Sequence, residues 1–155
     1  MPFEDGVFDA VISLDVLVHA AVEEYAAMAE LRRVLRPGGP LLLNLAAFDA
    51  LCGRHDAAVH GVRRYTPARV RALAERHALS VDFLTCWNMT LAPAIWAWRR
   101  IGLVRSSEES DLRPTSTWLN ACLRKLVATE WRIARYLPLP FGTSVFAVLR
   151  RPLDS

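Results

Sequence analysis

The chain has 155 residues, 53% of them hydrophobic and 23% charged, which suits a single globular domain with a sizeable core and excludes a disordered chain. Nineteen Lys and Arg against sixteen Asp and Glu leave a formal net charge of +3, spread along the sequence without a basic stripe, so no nucleic-acid partner is expected. Cys52, Cys86 and Cys122 are odd in number and form no C-x-x-C pair, which argues against a disulfide framework or a zinc site and fits a reducing, cytoplasmic setting.

Glu4 and Asp5 stand where a secretory leader would need basic and then apolar residues, so no leader is expected. The longest uncharged run, Phe83 to Trp98, contains Pro93 and is shorter than the roughly 20 residues of a spanning helix.

In chain order, Asp9 to Leu14 follows the Glu4-Asp5-Gly6 turn and reads as a strand buried on both faces, as in a parallel sheet. From Val22 to Leu35, Met28, Leu31, Val34 and Leu35 keep helical spacing, with Glu23, Glu24 and Glu30 early and Arg32 and Arg33 late, as the helix dipole favours. Arg36-Pro37-Gly38-Gly39 stops that helix, and Leu41 to Leu45 reads as a second strand. Thr66-Pro67 predicts a capped helix running to about Ala78, with Val70, Leu73 and Ala74 inward. Val81 to Trp87 and Thr143 to Leu149 are the third and fourth predicted strands.

Between those last two strands lies an insertion. It comprises a Trp-rich stretch from Leu91 to Val104, a polar loop from Ser106 to Ser116, and an amphipathic helix from Trp118 to Leu137. Leu119, Cys122, Leu123, Leu126, Ile133, Ala134 and Leu137 are its predicted inner face, with Arg124, Lys125, Arg132 and Arg135 elsewhere. The alternation of strands and helices implies an α/β fold with parallel pairing and helices on both faces.

The run PFEDGVFDAVISLDVLVHA, followed by AELRRVLRPGGPLLLNL, resembles the second half of a class I S-adenosylmethionine-dependent methyltransferase of the type 11/12-like group. That family reads Leu-Pro-Phe, an acidic turn, Phe-Asp, an apolar strand and a residue pair ending in His. A helix then leads to Leu-Arg-Pro-Gly-Gly and the next strand. The likeness covers roughly the first half of the chain. Further on, RHDAAVHGVRRYT resembles a segment of one bacterial branch, with the usual Gly-His order reversed at His60-Gly61. WNMTLAPA and LPLPFGTSVFAVLRRP resemble that branch's closing segments, and Val18 stands where many relatives carry Glu before the residue matching His19.

The resemblance implies an incomplete Rossmann-like sheet, the last four strands of seven, with a helical insertion before the final strand. It divides the chain into core (1–90), insertion (91–140) and closing strand with tail (141–155). Glycines occur only at positions 6, 38, 39, 53, 61, 102 and 142, none in a G-x-G array after a strand, so the glycine-rich cofactor loop is expected to be missing. The chain is therefore expected to be truncated at its N-terminus, with Met1 where relatives often have Leu, and to expose an open sheet edge able to pair with a partner chain.

In open α/β sheets the ligand lies beyond the carboxyl ends of the strands, here Ser13 to His19 and Asn44 to Phe48. By resemblance, Ser13, Leu14, Asp15 and His19 would border S-adenosylmethionine. Asp15 can instead cap the next turn, and His19 is a candidate base, a pocket wall or a hydrogen-bonded structural group. His55, Asp56, His60, Arg63, Arg64 and Tyr65, with Asn88, form the candidate acceptor side: His19, His55, His60 and Tyr65 as catalytic groups, Asp56, Arg63, Arg64 and Asn88 as substrate-binding ones. The alternative is a solvated arginine face and a packing tyrosine.

His55 and His60 are five apart, so they would not share a helical face, and no metal site is expected. Trp87, Trp96, Trp98, Trp118 and Trp131 with Phe83 are expected to pack the insertion onto the sheet, the alternative being a peripheral membrane contact. The functional expectation is methyl transfer to a small-molecule or lipid-linked acceptor. The alternative is a non-catalytic remnant or pairing module that docks a partner along its open edge.

Overall fold

A computed structural model describes residues 1–51, 63–101 and 116–153. His55, Asp56, His60, Cys52 and the polar loop predicted at Ser106 to Ser116, except Ser116 itself, lie outside these residues.

Among the described residues four strands form one sheet: β1 (Val11–Leu14), β2 (Pro40–Ala46), β3 (Ser80–Trp87) and β4 (Ser144–Arg150). The helices are α1 (Glu24–Val34), α2 (Pro67–Arg76), α3 (Ala92–Ile101) and α4 (Thr117–Ala134), with a short 3₁₀ turn at Asp49–Leu51. Strand order is β1-β2-β4-β3. The α/β class and the helical insertion before the last strand are as expected.

The expected all-parallel pairing is not found. β1 pairs parallel with β2, but β4 runs antiparallel to both of its neighbours, β2 and β3. The chain reaches β4 from the site edge of the sheet after the helical insertion, so β4 enters between two existing strands in the reverse direction. β2 and β3 remain mutually parallel through it.

Alternation along β2 and β4 builds the core. Leu41, Leu43 and Leu45 stand opposite Leu149, Ala147 and Val145, and all six side chains are fully buried. Met28 and Leu31 of α1 and Val70, Leu73 and Ala74 of α2 belong to the same cluster, so these two helices cover that face. The other face is covered in part by α4, where the Trp131 ring meets Phe146 and Trp87 edge-on at centroid distances of 5.3 and 6.4 Å.

β1 is not buried on both faces as the apolar run implied. Ser13 is buried, whereas Ile12 and Leu14 are 63% and 61% exposed. They lie on the face away from α1 and α2, and β1 is the edge strand, so nothing among the described residues screens them.

The helix ends follow the sequence chemistry. Thr66 caps α2 by accepting from the Arg69 N–H at 3.2 Å, with Pro67 in the first turn. Glu23 caps α1, accepting from the N–H groups of Tyr25 and Ala26 at 3.1 and 2.6 Å. At the other end of α1, Arg151 reaches back from beyond β4 and donates to the Leu35 carbonyl at 2.8 Å. Gly38 adopts a left-handed φ of +77° in the intervening turn and its N–H bonds to the Arg151 carbonyl at 2.8 Å, tying the chain end to the α1–β2 turn.

α4 is held by a buried carboxylate. Glu130, 6% exposed, accepts from the N–H groups of Met89 and Thr90 at 2.9 and 3.0 Å and from the Thr90 hydroxyl at 2.8 Å. Burial alone would raise its pKa, but the hydrogen bonds from Thr90 and Met89 outweigh it and the net displacement is downward. The inner face predicted for this helix is only partly right. Leu123 and Val127 are half-buried and Glu130 and Ala134 buried, while Leu119, Leu126, Ile133 and Leu137 are exposed.

Glu130→Ala strands two backbone donors and is expected to lower unfolding stability by about 1–3 kcal/mol in denaturant titration. A loss under about 0.5 kcal/mol, the range of ordinary surface changes, would contradict the anchoring role.

His77 is buried against Tyr25, ring centroids 4.5 Å apart. Burial, reinforced by Arg32 and opposed by Glu24, lowers its pKa below the ordinary value of 6.5. The unfolded chain then binds the proton first. Stability is expected to fall as pH drops below 6.5 toward the lowered folded value, and to be flat in His77 above it. In His77→Gln this part of the pH dependence should vanish from denaturation midpoints measured between pH 7.5 and 5; an unchanged slope would contradict the assignment.

Candidate functional site

Because β1, β2 and β3 point the same way and β4 the opposite way, one edge of the sheet gathers three carboxyl ends and one amino end. The segments brought together are Ser13 to Asp15, Asn44 to Phe48, Trp87 to Asn88 and Gly142 to Thr143. Strand-end positions predicted from sequence, Ser13, Leu14, Asp15 and Asn88, therefore share one rim.

A polar chain runs along that rim. The Trp87 indole N–H donates to Asn44 Oδ1 at 2.9 Å, and Asn44 Nδ2 donates to the Asp15 carboxylate at 3.1 Å. The Asp15 N–H bonds to the Asn44 carbonyl at 2.8 Å, and Asp15 holds a left-handed φ of +54°, which turns the chain sharply off β1. The Ser13 hydroxyl is buried with no hydrogen-bond partner among the described residues. Asn88, at φ +57°, donates to the Thr143 hydroxyl at 3.3 Å, and its own side-chain oxygen is buried without a partner among the described residues.

The loop after β1 is fixed from behind. One Arg63 amine, Nη1, donates to the carbonyls of Leu17, His19 and Val22 at 3.1, 2.9 and 2.8 Å. The Tyr65 hydroxyl lies 2.6 Å from Glu24 Oε1 and 3.1 Å from the Leu17 carbonyl, and its side chain is fully buried. Burial first, then the hydrogen bond and charge of Glu24, push its pKa well above the ordinary value. Arg69 completes the cluster, its guanidinium 3.0 Å from Glu24 and stacked 4.7 Å above the Tyr65 ring. Arg64 donates to the Ala47 carbonyl at 2.7 Å. His19 is half-buried, its N–H directed to the Val16 carbonyl at 3.3 Å.

Beside the rim lies a cleft of about 340 Å³ lined by Phe48, Ala50, Ala92, Pro93, Trp96, Phe141 and Gly142, all apolar. That volume lies at the small end of the roughly 300–1,000 Å³ typical of ligand pockets. Gly142 is required there by close approach: a Cβ on it would lie 2.1 Å from the Trp87 carbonyl oxygen.

Sequence reasoning singled out Arg63 and Tyr65 but not their carbonyl partners, and it took Asn44 only as the start of a ligand-facing segment. A signal for Asn44 was present: it is the one polar residue in the run Leu41 to Ala47. Phe141 and Trp96 meet across a gap of 45 residues that no local pattern spans. The placement of His55, Asp56 and His60 lies outside the described residues, and among those described no cluster of three or more His, Cys, Asp or Glu could hold a metal ion.

Comparison with known proteins follows the same lines. Residues 1–43 match the family described as a methyltransferase domain. No match is found among curated proteins. A solved chain from the complex between the Haloferax volcanii Trm112 methyltransferase activator and a methyltransferase is 18% identical with a TM-score of 0.57, covering 100% of this chain and 58% of that one. The geranyl diphosphate C-methyltransferase from Streptomyces coelicolor A3(2), bound to Mg²⁺, geranyl diphosphate and S-adenosyl-L-homocysteine, is 13% identical with a TM-score of 0.56, covering 97% of this chain and 50% of that one. The [4+2]-cyclase SpnF gives 17% identity and a TM-score of 0.54, covering 99% and 53%. The chain thus spans about half the length of the solved structures it matches. Across its described residues the chain has the fold shared by these solved structures, of which it spans about half, and its residues 1–43 match the methyltransferase-domain family.

Proposed function

We propose that this chain forms the acceptor-side portion of an S-adenosylmethionine-dependent methyltransferase acting on an apolar small-molecule or lipid-linked acceptor. The observation that carries this reading is the all-apolar cleft opening beside the strand-end rim. Such a lining excludes water from the reacting centre and holds a hydrocarbon part without specific polar contacts. One of the fold neighbours acts on geranyl diphosphate, an isoprenoid, which is in keeping with this acceptor class.

S-adenosylmethionine supplies, when bound, an electrophilic methyl group on a sulfonium. The residues at the end of β1 fit such a group: Ser13 offers a buried hydroxyl lacking a partner among the described residues, and Asp15 offers a carboxylate steadied by Asn44. Ser13, Leu14, Asp15 and His19 are the residues proposed to hold it. In-line displacement needs alignment and dryness above all, and a base only where the acceptor atom must lose a proton.

His19 is the proposed group for such a proton, with His55 and His60 retained on the acceptor side by resemblance. Tyr65, bonded to Glu24 and Leu17, suits positioning of the loop after β1 better than proton transfer. Arg63 shares that positioning role, while Arg64, Asp56 and Asn88 are assigned to acceptor contacts. A cytoplasmic setting belongs to the same proposal.

One observation favours a second reading. The outer edge of β1 is unpaired among the described residues, with Ile12 and Leu14 exposed beside it, which suits addition of a strand from another segment or chain. The two readings combine if that strand belongs to the part that completes the cofactor site.

With methyl-labelled S-adenosylmethionine, the protein isolated from its native cell and an extract of that cell as the source of acceptor, label is expected in the organic-extractable fraction. Ala50→Trp, a change at an exposed wall of the cleft, should cut that incorporation about tenfold while leaving S-adenosylhomocysteine binding intact, a cost in line with a mispositioned substrate. Label confined to protein or water-soluble polar products, or full activity in Ala50→Trp, would contradict the apolar acceptor.

A further inference from the structure

We infer that α4 is a docking helix for an anionic membrane surface. At 100° per residue, α4 and the turn that continues it carry three faces rather than two. Leu123, Val127, Glu130 and Ala134 form one face turned to the body of the protein. Immediately beside it, Trp118, Leu119, Cys122, Leu126, Ile133, Tyr136 and Leu137 fall within an arc of about 100°, a second apolar stripe. This stripe is exposed: Trp118 is 73%, Ile133 50%, Tyr136 82% and Leu137 64% accessible. Opposite the boundary between these two faces stand Arg124, Lys125, Arg132 and Arg135.

The charge pattern selects the occupant. α4 and the turn after it contain four basic residues, and their single acidic residue, Glu130, is buried and bonded to Met89 and Thr90. Apart from the uncharged Thr117, Asn120 and Thr129, the exposed surface of the element is therefore cationic and apolar, with no exposed acidic group. A helix with a Trp and Leu stripe flanked by Lys and Arg lies in the headgroup layer of a bilayer, apolar side down and cations against anionic phosphates. A protein partner of ordinary composition would leave some of these cations unmatched or meet a countercharge pattern that α4 does not share.

Other properties agree with a surface-lying mode. No helix among the described residues is long and apolar enough to cross a membrane. Phe141, 45% exposed, is four residues beyond Leu137 and forms a wall of the apolar cleft, so the chain leads from the end of the stripe to that wall. Delivery of a membrane-borne acceptor by that route rests on the acceptor reading above; membrane docking itself does not.

The test is co-sedimentation of the 155-residue chain with phosphatidylglycerol–phosphatidylcholine vesicles and with phosphatidylcholine vesicles alone. Binding to the anionic vesicles is expected to be at least on the order of tenfold tighter, and to weaken as salt is raised from 50 to 500 mM. Arg124→Glu with Arg132→Glu should abolish the preference for anionic lipid. Trp118→Ser with Ile133→Ser should weaken binding to both vesicle types, with circular dichroism confirming that the exposed changes leave the fold intact. No binding, equal binding to the two lipids, or unaltered binding by either variant would overturn the proposal. So would loss of self-association in Trp118→Ser, seen by light scattering, without any vesicle binding by the unaltered chain. None of these outcomes depends on methyl transfer, so failure of the acceptor reading leaves this test unaffected.

Discussion

Inserting β4 between β2 and β3 ties the whole sheet to the last strand of the chain, because Val145, Ala147 and Leu149 complete rows begun by Leu45, Leu43 and Leu41. About a hundred residues separate these partners, so the pairing carries a high loop-closure cost that only a well-packed apolar row repays. Two further contacts lock the entry and exit of β4. At its start, Gly142 passes so close to Trp87 that no side chain fits, and at its end Arg151 caps the carbonyl end of α1. The site edge exists only once β4 is in place, since it supplies Gly142 to the cleft and Thr143 to Asn88.

Polar and apolar tasks are separated along that edge. The chain Asp15–Asn44–Trp87 fixes the rim by hydrogen bonds whose donors and acceptors all lie at strand ends, where the rigid sheet positions them. The cleft beside it is held open by Phe48, Pro93, Trp96 and Phe141 and, among the described residues, is lined without a polar side chain. Behind both, Arg63 and Tyr65 hold the β1–α1 loop through three backbone carbonyls and the Glu24 carboxylate, so their contribution is to place neighbouring groups. The presence of a cyclase among the fold neighbours underlines that such a scaffold does not by itself fix the reaction.

Much of the architecture was legible in the sequence where local chemistry decides it. The Thr66-Pro67 cap, the Gly38-Gly39 stop and the apolar runs placed the four strands and the first two helices to within about two residues, because capping and alternation are written in neighbouring positions. What failed was non-local. The direction of β4 depends on which strands it slots between, and a run such as Val145 to Leu149 reads identically in either sense. Ile12 and Leu14 suggested a doubly buried strand by composition, yet an edge position exposes them. In α4 a single broad apolar arc concealed two stripes, divided by Glu130, whose role as a buried anchor is set by Met89 and Thr90 forty residues away.

We propose that β1 is an inner strand of the working protein, its outer edge paired by a further strand. Its Asp15 N–H points to β2, so by strand alternation the Ile12 and Leu14 amides point outward. Hydrogen exchange at those two amides, compared between the isolated 155-residue chain and the protein taken from its native cell, measures the pairing directly. The account predicts fast exchange in the isolated chain and strong protection in the native material. Fast exchange at both amides in both preparations would contradict it.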